Sequence, residues 1–176
     1  YALGFGIDNY GYVGTGYNDN YLKDFYRFDP TAAAGSQWTI VNGFGGQKRQ
    51  GGTAFVIDGK AYVCGGQNNN SDVSDFWCFD PSAATPWTQL RDIANTSDDD
   101  YDDDYTSIVR SYGVSFVIDG KAYLTLGSTA GGSYYSNYWI YDPATDLWEG
   151  DDLTAFEGST RIHAVCFSTG TRGIVA

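Results

Sequence analysis

Three arginines stand in one register. Arg49, Arg110 and Arg161 each lie six residues before a phenylalanine, at Phe55, Phe116 and Phe167. A guanidinium presents a fixed fork of donors matched to carboxylates, so a ring of them would suit an acidic ligand. The competing role is an ion pair that braces neighbouring units. Tyr112 follows Arg110 by two residues, and His163, the single histidine, follows Arg161 by two. With Tyr134 and Tyr135 they complete a candidate binding set: Arg49, Arg110, Arg161, Tyr112, His163, Tyr134 and Tyr135. Tyrosine rings beside Asn and Asp suit stacking on sugars or burial in a protein partner, although packing on strands also uses such residues.

Catalytic chemistry finds little footing. No nucleophile stands beside a base, and no glycine-rich phosphate loop appears, so no residue is assigned a catalytic role. The stretch DDDYDDDY holds six aspartates between Asp98 and Asp104. Like charges so close repel one another, and a cation would relieve them. Ca²⁺ takes oxygen ligands from alternating positions, which makes Asp98, Asp100, Asp102 and Asp104 candidate ligands; a solvated loop is the preferred reading and a basic partner the third. No other cofactor is expected. Cys64, Cys78 and Cys166 follow no metal spacing and read as small buried hydrophobes, with Cys64 and Cys78 placed to face each other on neighbouring strands.

The chain has 10 Lys+Arg against 22 Asp+Glu, a net charge of −12 and a pI near 4.1. This argues against a nucleic-acid phosphate backbone as the ligand, since binding it needs positive charge to release counterions. No run of 18 apolar residues exists, so no transmembrane segment is expected. The chain starts at Tyr1 and has no Met, which suggests a processed or partly defined product.

The elements that must position these residues repeat. FVIDGKAY occurs at 55–62 and again at 116–123. Aligned on its phenylalanine, FGIDNYGYVGTG from Phe5 and FSTGTRGIVA from Phe167 join the set. Downstream stand DFYRFDP (24–30), DFWCFDP (75–81) and NYWIYDP (137–143), and after each Asp-Pro a tryptophan, Trp38, Trp87 and Trp148. Asp58-Gly59 and Asp119-Gly120 predict tight hairpins between strands A and B. Glycines close strand B, proline ends strand C, and strand D carries the tryptophan. The expectation is an all-β chain built as a β-propeller of four-stranded antiparallel blades, with about three and a half blades present. Blade 1 is placed at about 1–48, blade 2 at 49–109, blade 3 at 110–160, and strands A and B of blade 4 at 161–176. Three and a half blades do not close a ring. The chain is therefore expected to belong to a six- or seven-bladed ring, its remaining blades coming from the same protein or a second copy.

These residues resemble the Kelch-type propellers, whose blades show a double glycine after strand B and aromatics before the closing tryptophan. The match is fullest in blade 2 (YVCGG); blade 3 keeps only Gly127, so its corner is expected to differ. In some Kelch relatives an arginine at this step reads acidic peptides. Others resemble galactose oxidase, whose copper site needs several histidines, which one His163 cannot supply. GYVGTGYNDNYLKDFYRFDP is similar to exported Kelch proteins of Gram-negative bacteria, which implies an extracellular, cell-surface or periplasmic location. The resemblance thus implies a non-catalytic binding scaffold for a protein or glycan at the cell envelope, contacted through the loop-rich face that carries the B–C and D–A connections. The alternative is a carbohydrate-active enzyme, of mutarotase, epimerase or oxidase type, completed by the missing blades.

Overall fold

The computed structural model describes residues 1–94, 107–150 and 155–176. The regular elements in them are strands. β1 (Leu3–Ile7), β2 (Tyr10–Tyr17), β3 (Tyr21–Phe28) and β4 (Trp38–Val41) form one antiparallel sheet. β5 (Thr53–Ile57), β6 (Lys60–Cys64), β9 (Phe76–Phe79) and β10 (Trp87–Gln89) form the second, with a small hairpin of β7 (Gln67–Asn68) and β8 (Ser71–Asp72) inserted after β6. β11 (Val114–Ile118), β12 (Lys121–Thr125), β13 (Tyr138–Asp142) and β14 (Leu147–Glu149) form the third. β15 (Cys166–Ser168) and β16 (Gly173–Val175) pair as strands A and B of a fourth. No helix among the described residues is long and apolar enough to cross a membrane.

Local chemistry sets the turns. Asp58 and Gly59 have φ of 49° and 74°, and Asp119 and Gly120 have 48° and 75°. Two successive left-handed residues give the turn whose twist matches the flanking strands.

Each blade repeats one cross-strand row, in which a small residue on strand B faces an aromatic on strand C that faces the tryptophan of strand D. The rows read Gly11–Phe28–Trp38, Ala61–Phe79–Trp87 and Ala122–Tyr141–Trp148. The neighbouring face of each blade holds a stacked pair, Phe5–Tyr12, Phe55–Tyr62 or Phe116–Tyr123, with centroids 5.1, 5.3 and 5.4 Å apart. Trp87 and Phe79 of blade 2 close over Phe5, Tyr12 and Phe25 of blade 1, and Trp148 and Tyr141 of blade 3 close over Phe55, Tyr62 and Phe76 of blade 2. These two interfaces are the core.

The strand-B corners join successive blades through the backbone. Gly16 N–H donates to Arg49 O (2.7 Å), Gly66 to Arg110 O (2.8 Å) and Gly127 to Arg161 O (3.1 Å). A Cβ on Gly66 would lie 2.7 Å from Gln50 O at a φ of +93°, so the position needs glycine. The blade 3 corner does not differ as expected. Leu126 takes the left-handed conformation (φ 58°) that Gly65 has in blade 2, and Thr15 does so in blade 1. The second glycine, which makes the inter-blade bond, is the one that all three keep.

The cysteines do not face each other. The register sets Cys78 against Tyr62 and Cys64 against Phe76, and all three thiols are free. Burial pushes the Cys64 thiol up to about 12.

Candidate binding site at the axial mouth

Arg49 and Arg110 occupy equivalent places and are almost fully buried. In each, Nε donates to the carbonyl two residues back, Gln47 O (3.1 Å) or Ile108 O (3.2 Å). In each, Nη1 donates to the carbonyl sixteen residues on, Gly65 O (3.1 Å) or Leu126 O (3.0 Å). The remaining donors reach the polar residue that opens strand C and, in Arg110, also Ser107. Arg49 pairs with the Asp75 carboxylate, and Arg110 reaches Asn137 Oδ1 (2.9 Å) and Ser107 O (2.6 Å). Burial pulls the Arg110 guanidinium down to about 10, and the Tyr135 ring lies 4.6 Å from its Cζ. These arginines brace the corner within their own blade, while the inter-blade links run through their carbonyls. Arg161 repeats the bond two residues back, to Ser159 O (3.1 Å), and is exposed.

The residues two beyond the arginines meet one another. Gly51, Tyr112 and His163 have φ of 62°, 58° and 60°, a conformation uncommon for a bulky side chain. Tyr1, four residues before Phe5, holds the same register. The centroids of Tyr1 and Tyr112 are 5.2 Å apart, those of Tyr1 and His163 5.0 Å, and those of Tyr112 and His163 4.6 Å. Tyr1 belongs to the first blade and His163 to the fourth. Equivalent residues of the first, third and fourth units can touch only if the units fan around a common centre, so a linear stack is excluded. Gly51 leaves room: a Cβ there would lie 2.4 Å from Tyr112 Cε1. The backbone links three of these positions in a row, with Gly51 N–H donating to Tyr1 O (3.1 Å) and Tyr112 N–H to Gly51 O (2.6 Å).

The loops add polar groups. Gln67 Nε2 donates to the Tyr112 hydroxyl (2.7 Å), and burial pushes the Tyr112 phenol up. Asp72 Oδ1 accepts from Ala130 N–H (2.8 Å), tying the B–C loop of blade 2 to that of blade 3. Tyr134 projects from the latter loop and is 55% exposed. A cleft of about 300 Å³ between blades 1 and 2 is lined by Tyr17, Tyr21, Lys48 and Asn68 among others.

The structure therefore brings Tyr112 and His163 into ring contact, while Tyr134 is exposed on the B–C loop of blade 3. Tyr135 sits under Arg110. Asp98, Asp100, Asp102 and Asp104 lie outside the described residues. Sequence reasoning missed Tyr1, whose signal was its distance from Phe5, and also Asp75 and Asn137, whose signal was the polar residue opening each strand C.

Residues 48–90 match the family description of the Kelch motif. The match covers blade 2. The whole chain is similar in fold to the solved structure of YjhT, with a TM-score of 0.74 and 20% identity, over 96% of this chain and 55% of that one. At that identity the likeness shows the β-propeller fold alone, and the chain spans about half the length of that structure. No curated protein matches the chain by sequence.

Proposed function

We propose that this Kelch-repeat arc is a non-catalytic binding scaffold that presents its axial mouth to a protein or glycan of the cell envelope. The observation that carries the reading is the three-ring contact of Tyr1, Tyr112 and His163. Tyr112 and His163 hold bulky side chains in left-handed backbone beside an amide donor. Strained backbone of this kind persists where the surroundings over-determine it, and binding sites are where it collects. Tyr134 and the exposed Arg161 extend the face, with Arg161 free to meet an acidic group. Arg49, Arg110 and Tyr135 support it from beneath. The resemblance of blade 1 to exported Kelch proteins is what supports a location at the surface or in the periplasm of a Gram-negative bacterium.

The test is binding of the chain to immobilised envelope glycans and envelope proteins, compared with a Tyr112→Ala/His163→Ala variant whose circular dichroism is unchanged. Saturable binding lost in the variant supports the reading. Binding that survives it, but disappears on changing Lys60 and Lys121 at the opposite, A–B end of the strands, overturns it. Ca²⁺ is not part of this reading, and adding it is expected to leave the melting temperature flat.

A further inference from the structure

Between strands C and D of blade 1 and the C–D connection of blade 2 runs a cleft of about 380 Å³. Blade 1 lines it with Tyr12, Arg27, Thr39 and Asn42, and blade 2 with Phe79, Pro81 and Pro86. Tyr12 faces Arg27 across strands B and C, and Arg27 faces Thr39 across C and D, so the three share one side of the sheet. The Arg27 guanidinium lies against the Tyr10 ring, its Cζ 4.6 Å from the centroid. Its Nε is enclosed by the protein and has no hydrogen-bond partner, and no carboxylate among the described residues pairs with the group. An enclosed donor on a charged group is costly to leave unmade.

The matching cleft between blades 2 and 3, of about 330 Å³, shows the same position without that cost. There Cys78 stands in the place of Arg27, opposite Tyr62 and Thr88. Burial pushes its thiol up, so it stays neutral. The acids that line this second cleft are already engaged: Asp80 pairs with Lys60 (3.1 Å), and Asp146 accepts from the Tyr141 hydroxyl (2.8 Å). In the first cleft blade 2 offers Phe79 where blade 3 offers Tyr141, and the lining includes no acid. The cation thus sits in the cleft whose walls supply no anion.

We propose that the cleft between blades 1 and 2 binds a small monocarboxylate with an aromatic body, and that Arg27 is its anchor. A guanidinium takes a carboxylate through two parallel, charge-assisted bonds. Burial pushes the Tyr12 phenol up, so at neutral pH it keeps its proton and can donate to the same group, as can the Thr39 hydroxyl. Phe79, Pro81 and Pro86 give the flat apolar body a wall to lie on. Clefts of roughly 300–1,000 Å³ that combine apolar walls with a few polar groups are the usual form of small-ligand sites. One positive charge favours a monoanion over a phosphate dianion, because the chain as a whole carries a net charge of −12. This site is separate from the axial mouth and does not depend on it.

The probe is phenylacetate, titrated calorimetrically into the chain. It is expected to bind saturably at a single site, with the neutral phenylacetamide about tenfold weaker or more, since hydrogen bonds to a charged group are the stronger ones. Arg27→Gln should weaken the acid by about the same factor and leave the amide unchanged. The acid–amide comparison uses the unaltered chain, so it stands whatever Arg27→Gln does to folding. Inorganic phosphate is expected not to compete. The Tyr112→Ala/His163→Ala variant should bind phenylacetate as the unaltered chain does, which separates this site from the mouth. No saturable binding, equal binding of acid and amide, competition by phosphate, or loss of binding in the mouth variant would overturn the proposal.

Discussion

Trp148 and Trp38 hold the same place in the same repeat, at strand D and opposite the strand C aromatic. Trp148 is 3% exposed and Trp38 is 54% exposed. The difference lies in what stands in front of each. Trp148 meets Phe76 and Tyr141 at 5.6 and 5.1 Å and closes the interface of blades 2 and 3. Among the described residues Trp38 has its ring contact with Phe28 of its own blade, at 4.9 Å, beside the exposed Tyr26 and Ile40. A blade of this repeat is thus stabilised through the neighbour its tryptophan faces, and the four-stranded sheet by itself leaves its aromatic row in water.

The comparison breaks most readily at its strongest point. Trp148→Ala, or Trp87→Ala at the interface of blades 1 and 2, is expected to cost about 3–5 kcal/mol in urea unfolding, the range for a buried large aromatic. Trp38→Ala should stay within about 1 kcal/mol, because exposed positions lose little. Equal costs at Trp38 and Trp148 would mean that the outer face of blade 1 is covered in solution.

The arginines give the next contrast. Arg49→Leu leaves the Asp75 carboxylate buried with its partner gone, and breaking such a pair costs about 3–5 kcal/mol. Arg161→Leu, at the exposed member of the series, should change stability by about 0.5 kcal/mol or less. Unfolding curves of the two variants separate a brace from a surface group.

Glycines sharpen the picture further. Gly66→Ala should cost about 1–3 kcal/mol, since the new Cβ meets Gln50 O at a left-handed position. Gly59→Ala, also left-handed at φ +74° but with nothing within 4 Å, should cost about 1 kcal/mol, the backbone term alone. Thermal melts of the pair would show whether the corner or the hairpin turn carries the larger constraint.

Much of this contrast was legible in the sequence. The two FVIDGKAY segments, the Asp-Gly turns and the tryptophan after each Asp-Pro placed strands A to D because these signals are local: a turn needs its φ and a strand its alternation. The arginine register was equally plain, yet its role was not. Whether Arg49 faces a ligand or Asp75 depends on how far the chain folds back between residues 49 and 75, which no local pattern reports. The meeting of Tyr1 with His163 depends on the angle between successive blades, a sum of many small twists. The blade 3 corner was misread for a related reason: Leu126 accepts a left-handed φ because Gly127 keeps the inter-blade bond, and a missing glycine says nothing of that.

The smallest expected effect separates the Asp-Pro turns of the blades. Asp80 accepts from the Ser82 hydroxyl (2.6 Å) and backbone N–H (2.9 Å) and pairs with Lys60 (3.1 Å). These contacts hold its carboxyl down at about 2, below the ordinary 3.8. Asp142 is lowered in the same way, with Lys121 as the leading cause. Asp29 is lowered by Thr31, and Tyr10 occupies the position where the other blades have a lysine. Because the folded forms bind the proton less readily than the unfolded chain, the stabilisation is complete above the ordinary value and fades as pH falls from about 4 toward 2. Asp80→Asn should therefore flatten part of the fall in melting temperature across that window. Added salt should shrink the effect at Asp80, which includes an exposed ion pair, and leave that of Asp29→Asn nearly unchanged. Equal salt sensitivity at the two positions would show that the lysine contributes nothing and that the turn hydrogen bonds alone hold these carboxylates down.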